Sequence, residues 1–119
     1  MDFLKIDTEG FDYFVLKGFP WDRSGLKPGI ILCEFEDSKT RPLGYDWKVM
    51  ADFIQSKGYQ VYVSEWFPIE KYGVSHRWRG IKKYPAELED HEGWGNLVAL
   101  ASSEQAGEFH QFLNQYNLI

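Results

Sequence analysis

Cysteine is nearly absent from this chain of 119 residues, which contains only Cys33. A single cysteine excludes an internal disulfide framework and any zinc site built from several cysteines. Cys33 lies within an apolar run, a setting typical of a buried thiol in a reducing compartment. We therefore expect a cytoplasmic protein.

Long apolar runs and blocks of positive charge are also missing. No stretch approaches the roughly 18 to 20 apolar residues that a membrane-spanning helix needs, and the first residues show no basic flank leading into an apolar signal core. The 13 basic and 18 acidic residues give a net charge of −5. Without a basic block, this charge offers no footprint for nucleic acid or an anionic membrane, so we expect neither partner.

Aromatic and aliphatic side chains are plentiful by contrast. Hydrophobic residues make up 44% of the chain and aromatic residues 18%, which is enough material for a core and excludes disorder as the default state. A length of 119 residues supports one domain. We therefore treat residues 1–119 as a single domain.

The spacing of apolar residues predicts strands that alternate with helices. Strands are predicted over residues 3–7, 30–35, 59–66 and 97–101, and helices over residues 11–18, between Asp46 and Gly58, and after the Ser102 cap to residue 116. Residues 36–45 are predicted to be a loop, and residues 70–93 show no sustained period. The alternation indicates a mixed α/β sheet of mostly parallel strands with helices on both faces. Residues 30–35 are the best candidate for a central parallel strand.

The first predicted strand raises a question about the edge of the sheet. It is short and apolar at Phe3, Leu4 and Ile6, and we expect it to be mostly buried. If it formed an outer edge, it would present an unpaired apolar strand, which natural sequences usually avoid. We expect a neighbour beside it, either a missing amino-terminal half or a second copy of the chain in a homodimer.

Two sequence motifs resemble a known enzyme family. Residues 5–10 (KIDTEG) and 11–18 (FDYFVLKG) are similar to the FkbM family of S-adenosylmethionine-dependent methyltransferases, and residues 31–36 (ILCEFE) and 94–99 (WGNLVA) continue the resemblance. The resemblance implies the carboxyl-terminal half of a Rossmann-like methyltransferase sheet, in which the first strand here stands for the family's fourth strand. It also implies methyl transfer from S-adenosylmethionine to a hydroxyl of a saccharide or another small metabolite.

The chain departs from that family where the cofactor is held. The family grips S-adenosylmethionine mainly through a glycine-rich turn after its first strand and an acidic residue at the end of its second. No Gly-x-Gly-x-x-Gly turn occurs in this sequence. We therefore expect a truncated domain without the glycine-rich cofactor-binding half, whose isolated chain is inactive and binds S-adenosylmethionine weakly or not at all. The rival reading is a non-catalytic remnant or assembly module that dimerises through its open strand edge.

Four carboxylates follow two predicted strands, namely Asp7, Glu9, Glu34 and Glu36. Ligands of open parallel sheets lie beyond the carboxyl ends of the strands, so we expect these side chains to converge on one rim. Crowded acids raise one another's pKa, which suits Asp7 or Glu34 to be a general base, with Asp7 and Glu9 near the cofactor and Glu36 near the substrate. The alternatives are an oxygen-ligand site for Mg²⁺ or Ca²⁺, or plain strand ends with Glu9 at the positive end of the first helix.

The long irregular stretch contributes further candidates. His76 is a candidate general base, although most lone loop histidines are merely solvated. Trp66 and Trp94 flank the stretch and are candidates for stacking on a sugar or aromatic acceptor, against the simpler role of packing; Trp78 and Tyr84 share this ambiguity. His91 and His110 have no metal-ligand spacing with Cys33 or another histidine, so we assign no metal ligand.

Overall fold

The structure is a computed structural model that describes residues 1–23, 25–69 and 76–119. Its elements, in chain order, are β1 (Phe3–Ile6), α1 (Asp12–Gly18), β2 (Ile30–Glu36), α2 (Asp37–Thr40), a 3-10 helix (Arg41–Leu43), α3 (Trp47–Ser56), β3 (Gln60–Trp66), β4 (Trp78–Lys83), β5 (Trp94–Leu100) and α4 (Ser103–Gln115). Most strands and the three longer helices coincide with the predicted segments.

Two segments differ from the prediction. Residues 36–45 are not a loop, because they contain the end of β2, α2 and the 3-10 helix, which are too short to leave a periodic pattern. The stretch over residues 70–93 contains β4, whose alternation is interrupted by Gly80 and by a register shift opposite Glu65 and Trp66. Residues 70–75 lie outside the described residues.

The five strands form one sheet in the order β1-β2-β5-β3-β4. Only β1 and β2 pair in parallel, whereas β2 with β5, β5 with β3, and β3 with β4 pair antiparallel. The prediction of mostly parallel strands is therefore wrong. It failed because β5 inserts between β2 and β3 and runs against both, and because β4 returns along β3. The β2 strand is an inner strand between β1 and β5, whereas the central strand is β5, and β2 is parallel to a neighbour on one side only.

Helices pack on both faces of this mixed α/β sheet, as predicted. On one face, which we call the α3 face, Leu16 of α1 and Ile54 of α3 belong to the same buried cluster as Cys33 and Val61. On the other, the α4 face, Leu113 of α4 shares a cluster with Tyr62 and Leu100. Neighbouring strand residues such as Val61 and Tyr62 fall in different clusters because successive side chains point to opposite faces.

The β1 strand lies at the edge of the sheet and is more exposed than expected. Phe3 retains 52% of its accessible surface, and only Ile6 is buried. The prediction of a mostly buried first strand is therefore wrong. The face that α1 buries also differs from the face on which the apolar residues were predicted to lie. The helix buries Asp12 and Leu16 and leaves the aromatic side chain of Phe14 exposed.

Several local predictions are confirmed. The Asp46 side chain accepts a hydrogen bond from Val49 N at 3.0 Å and caps α3, and Ser102 accepts one from Gln105 N at 3.3 Å and caps α4. Cys33 is a fully buried free thiol, and burial, reinforced by the charge of Asp12, raises its pKa above the usual range. Within the described ranges, no helix has the length and apolar character to cross a bilayer.

Candidate functional site

One end of the sheet collects most of the predicted site residues. The carboxyl ends of β1, β2 and β3 meet there with the amino ends of β4 and β5, as shown by the pairs Ile6 with Cys33, Glu36 with Trp94, and Trp66 with Trp94. We call this end the carboxyl rim. It is where ligands bind in sheets that contain parallel strands.

Asp7 and Glu34 form a carboxyl pair at this rim. They occupy the positions that follow the parallel partners Ile6 and Cys33, so β1 and β2 set them side by side. The pKa of Glu34 is raised to about 7, first by burial, then by the neighbouring Asp7 carboxyl and by the charge of Glu9.

Lys39 forms ion pairs with the other two carboxylates of the rim. Its Nζ lies 2.7 Å from Glu9 Oε2 and 3.1 Å from Glu36 Oε2. The hydrogen bonds to Glu9 and Glu36 raise the pKa of the lysine above its usual range, so it stays charged. Sequence reasoning missed Lys39 because it lies on the four-residue α2, in the segment predicted as a loop. The structure thus brings all four predicted carboxylates together and leaves Asp7 and Glu34 as the pair without a direct cationic partner among the described residues.

A buried carboxylate lies beneath the rim and was also missed. Asp12 accepts hydrogen bonds from Thr8 N at 3.0 Å and from the Thr8 hydroxyl, whereas its Oδ2 has no partner among the described residues. The hydroxyl of Tyr45 donates to Gly10 O nearby. No sequence pattern marks Asp12 as buried, because its position in the first turn of α1 reads as an ordinary exposed helix start.

A small cavity separates Asp12 from Glu34. It measures about 10 Å³ and is also bordered by Lys39 and Tyr45. This is about the room that one water molecule needs, whereas sites for small organic ligands and cofactors measure roughly 300 Å³ or more. The family resemblance implies S-adenosylmethionine as the cofactor. The residues around this cavity do not, by themselves, form a site large enough to hold it.

Tryptophans cross the sheet next to the carboxylates. Glu36 of β2 stands opposite Trp94 of β5, Trp94 opposite Trp66 of β3, and Trp66 opposite Trp78 of β4. We call Trp94, Trp66 and Trp78 the aromatic row. The Trp66 and Trp94 rings are stacked, with centroids 5.5 Å apart and planes inclined by 21°. The predicted substrate residues Glu36, Trp66 and Trp94 are thus neighbours.

The remaining candidates fall in two places. His76 is exposed and its ring meets Trp94 edge-on at 5.7 Å, which places it beside the aromatic row. Tyr84 is buried away from the rim, where it packs against Trp47 and donates a hydrogen bond to Asp52. The predicted roles of His76 and of the aromatic row stay predictions, whereas the packing reading holds for Tyr84.

The sequence left open a Mg²⁺ or Ca²⁺ site as an alternative role for the acidic residues. In the part of the chain that the structure describes, no group of three or more His, Cys, Asp or Glu side chains is arranged to hold a metal ion. The rim places the adjacent carboxyl groups of Asp7 and Glu34 near the aromatic row.

Comparison with known proteins gives one match. Residues 1–61 match the family model described as the methyltransferase FkbM domain. The matched part is about half of the chain and runs from β1 to the start of β3, so it includes Asp7, Lys39 and Glu34. No curated protein and no solved structure matches the chain.

Proposed function

The chain belongs to the FkbM methyltransferase family, and from that premise we propose that it is the acceptor-side, carboxyl-terminal half of an S-adenosylmethionine-dependent O-methyltransferase. Its substrate in this proposal is a hydroxyl of a saccharide or another small metabolite. The β1 and β2 strands are then inner strands of a Rossmann-like sheet, continued beyond the open edge of β1 by a glycine-rich half. Because the cavity beside Asp12 does not fit the cofactor, that other half supplies the cofactor site.

The observation that carries this proposal is the placement of Asp7 and Glu34 side by side at the carboxyl rim. A general base works best when its pKa lies near the working pH, and the pKa of Glu34 is raised to about 7. Above about pH 7 the Glu34 carboxyl is ionised, so it can accept the proton of an acceptor hydroxyl. Lys39 holds Glu9 and Glu36 in ion pairs and leaves Asp7 and Glu34 for this task.

The test joins the full chain to the glycine-rich half of an active FkbM methyltransferase. Transfer of a labelled methyl group to simple saccharides is then measured for the fusion and for its Asp7→Asn and Glu34→Gln variants. We expect each variant to lower kcat by roughly 10²-fold or more, with folding confirmed by circular dichroism. The control Glu108→Gln, on the exposed side of α4, should leave kcat unchanged. Unchanged turnover in both rim variants would remove the pair from the proposed role.

A second candidate is an assembly module without catalysis. It is favoured by the exposed edge of β1, where Phe3 faces solvent, and by the exposed Phe11 and Phe14 on α1. Under this alternative the chain pairs through β1 with a second copy and transfers no methyl group. An inactive fusion together with a stable dimer of the free chain would favour it.

A further inference from the structure

The aromatic row shares one face of the sheet with the Asp7 and Glu34 pair. Directly opposed residues of antiparallel strands point to the same face, and so do residues two apart on one strand. Glu34 stands opposite Asn96, and Asn96 opposite Ser64, whereas the next row along the strands holds Glu36, Trp94 and Trp66. Both rows therefore lie on the α4 face, two and four residues beyond Val98 and Tyr62, which pack under α4.

The α4 helix leaves these two rows accessible. The buried cluster under α4 contains Tyr62, with Val98 beside it, and extends into the next row only at Ile81, which stands opposite Ser64. Glu34, Asn96 and Ser64 in that row are all half-buried. Trp78 retains 39% of its accessible surface. The face is therefore covered by a helix at one end and presents a polar and aromatic surface at the carboxyl rim.

The exposed indole of Trp78 is held in place by its neighbours. Its Nε1 donates a hydrogen bond to Ser64 Oγ at 3.0 Å, and Trp66, its partner in the register, is itself stacked on Trp94. A fixed aromatic surface costs little side-chain entropy when a ligand stacks on it. Two strand spacings, about 10 Å in total, separate Ser64 from Glu34.

We propose that this surface binds one pyranose ring of the acceptor, with Trp78 as the stacking residue and with Asn96 and Glu34 meeting the hydroxyls at the ring's edge. A sugar ring has an apolar face of C–H groups and an edge of hydroxyls, which matches an indole bordered by amide and carboxylate oxygens. A flat aromatic acceptor would use the indole and leave the polar row without partners. This inference rests on the proposed function and narrows its acceptor to a saccharide.

The test measures sugar binding to the full chain without S-adenosylmethionine. Methyl α-D-glucopyranoside, methyl α-D-mannopyranoside and methyl α-D-galactopyranoside are titrated, and binding is followed by saturation-transfer NMR and tryptophan fluorescence. We expect at least one glycoside to bind saturably with a Kd in the millimolar range. Trp78→Ala should weaken that binding roughly two- to tenfold, and Ser64→Ala should weaken it less, because it only frees the indole.

A control variant and three possible results decide whether the sugar-binding proposal fails. Phe112→Ala removes an aromatic residue that is 51% exposed on α4, away from the row, and should leave the Kd unchanged. The proposal is overturned if no glycoside binds saturably up to about 50 mM, or if Trp78→Ala and the unmodified chain bind alike. It is also overturned if p-cresol binds in a manner that depends on Trp78 while the glycosides do not. Since this assay involves no methyl transfer, an inactive fusion would count against the proposed function and leave the sugar result standing.

Discussion

Lys39 Nζ lies 2.7 Å from Glu9 Oε2, across the gap between α2 and the segment that follows β1. The same ammonium group lies 3.1 Å from Glu36 Oε2, so one cation ties the ends of β1 and β2 together. Its charge also acts on Glu34, where it lowers the pKa against the larger effects of burial and of Asp7. The pKa of Glu34 is therefore set partly by a residue outside the carboxyl pair.

Replacing this lysine tests that dependence. Lys39→Met should raise the pKa of Glu34 above its value of about 7, because the opposing positive charge is removed while burial and Asp7 remain. The change is measured by a pH titration of the side-chain carboxyl resonances by ¹³C NMR. Lys48→Met is the matched control, since Lys48 pairs with the exposed Glu87 instead. A pKa of Glu34 that stays the same or falls in Lys39→Met would contradict this account.

The raised pKa of Glu34 also predicts how stability changes with pH. Between about pH 4.5 and pH 7 the folded chain holds a proton that the unfolded chain has lost, so this group lowers the free energy of unfolding as pH rises through that window. Glu34→Gln removes the cost and should stabilise the chain at pH 8 relative to pH 5. Because the Glu34 side chain is only half-buried and solvent screens its charge, we expect only on the order of 1 kcal/mol.

Urea denaturation of the unmodified chain and of Glu34→Gln at pH 5 and pH 8 measures the effect. The exposed Glu108→Gln on α4 is the control, and its difference from the unmodified chain should not depend on pH in this way. A larger gain for Glu34→Gln at pH 5 than at pH 8 would have the wrong sign for a carboxyl whose pKa is raised by folding.

The local spacing of apolar residues was sufficient to predict most helices and strands, but it was not sufficient to predict which strands pair. The period of Trp47, Met50 and Ile54 predicts α3, and Asp46 marks its start, because these signals depend only on neighbours in sequence. The antiparallel insertion of β5 between β2 and β3 depends on long-range contacts such as Gly95, where an added Cβ would lie 1.9 Å from Ser64 O. A single sequence contains no record of such a close approach.

The candidate site could likewise be predicted only in part from the sequence. Acidic residues that follow a buried strand must lie at that strand's end, so the meeting of Asp7 with Glu34 could be inferred once β1 and β2 were assigned as parallel neighbours. The contributions of Lys39 and Asp12 could not, because each depends on a turn of helix whose orientation is decided by packing. Burial of Asp12 is favoured by the hydrogen bond that it accepts from Thr8. The spacing of apolar residues in the sequence does not indicate this hydrogen bond.

Binding of the cofactor gives a third prediction. We expect the free chain to bind S-adenosylmethionine with a Kd weaker than about 10 µM, since tighter binding needs roughly 7 kcal/mol of contacts. The cavity of about 10 Å³ beside Asp12 cannot provide them. Isothermal titration calorimetry measures the Kd, with the fusion to a glycine-rich half as the positive control. A tighter Kd for the free chain would show that its own residues build a cofactor site.

The open edge of β1 gives the last prediction. Phe3 is 52% exposed on a strand with no partner on its outer side among the described residues, and Lys5 is the one charged residue within β1. Few of the features that normally block edge pairing are present. We therefore expect two copies of the free chain to pair β1 with β1 across a two-fold axis, which makes that pairing antiparallel and satisfies backbone groups on both copies.

Substitutions on β1 should separate pairing from folding. Phe3→Lys adds a charge to the exposed side of the strand and should convert the dimer to a folded monomer. Leu4→Lys should instead unfold the chain, because Leu4 packs against the buried cluster of the α3 face. Phe112→Lys, at an aromatic residue of similar exposure on α4, should remain dimeric.

Multi-angle light scattering at about 100 µM measures the outcome, since even a dimer with a micromolar Kd is mostly assembled at that concentration. A folded monomer for the unmodified chain would refute edge pairing between copies. A dimer that survives Phe3→Lys but is lost in Phe112→Lys would place the interface on α4 instead. Because β1 also carries Asp7 at its carboxyl end, a dimer through β1 would occupy the edge that the proposed glycine-rich half needs. The fusion should therefore be monomeric even where the free chain is not.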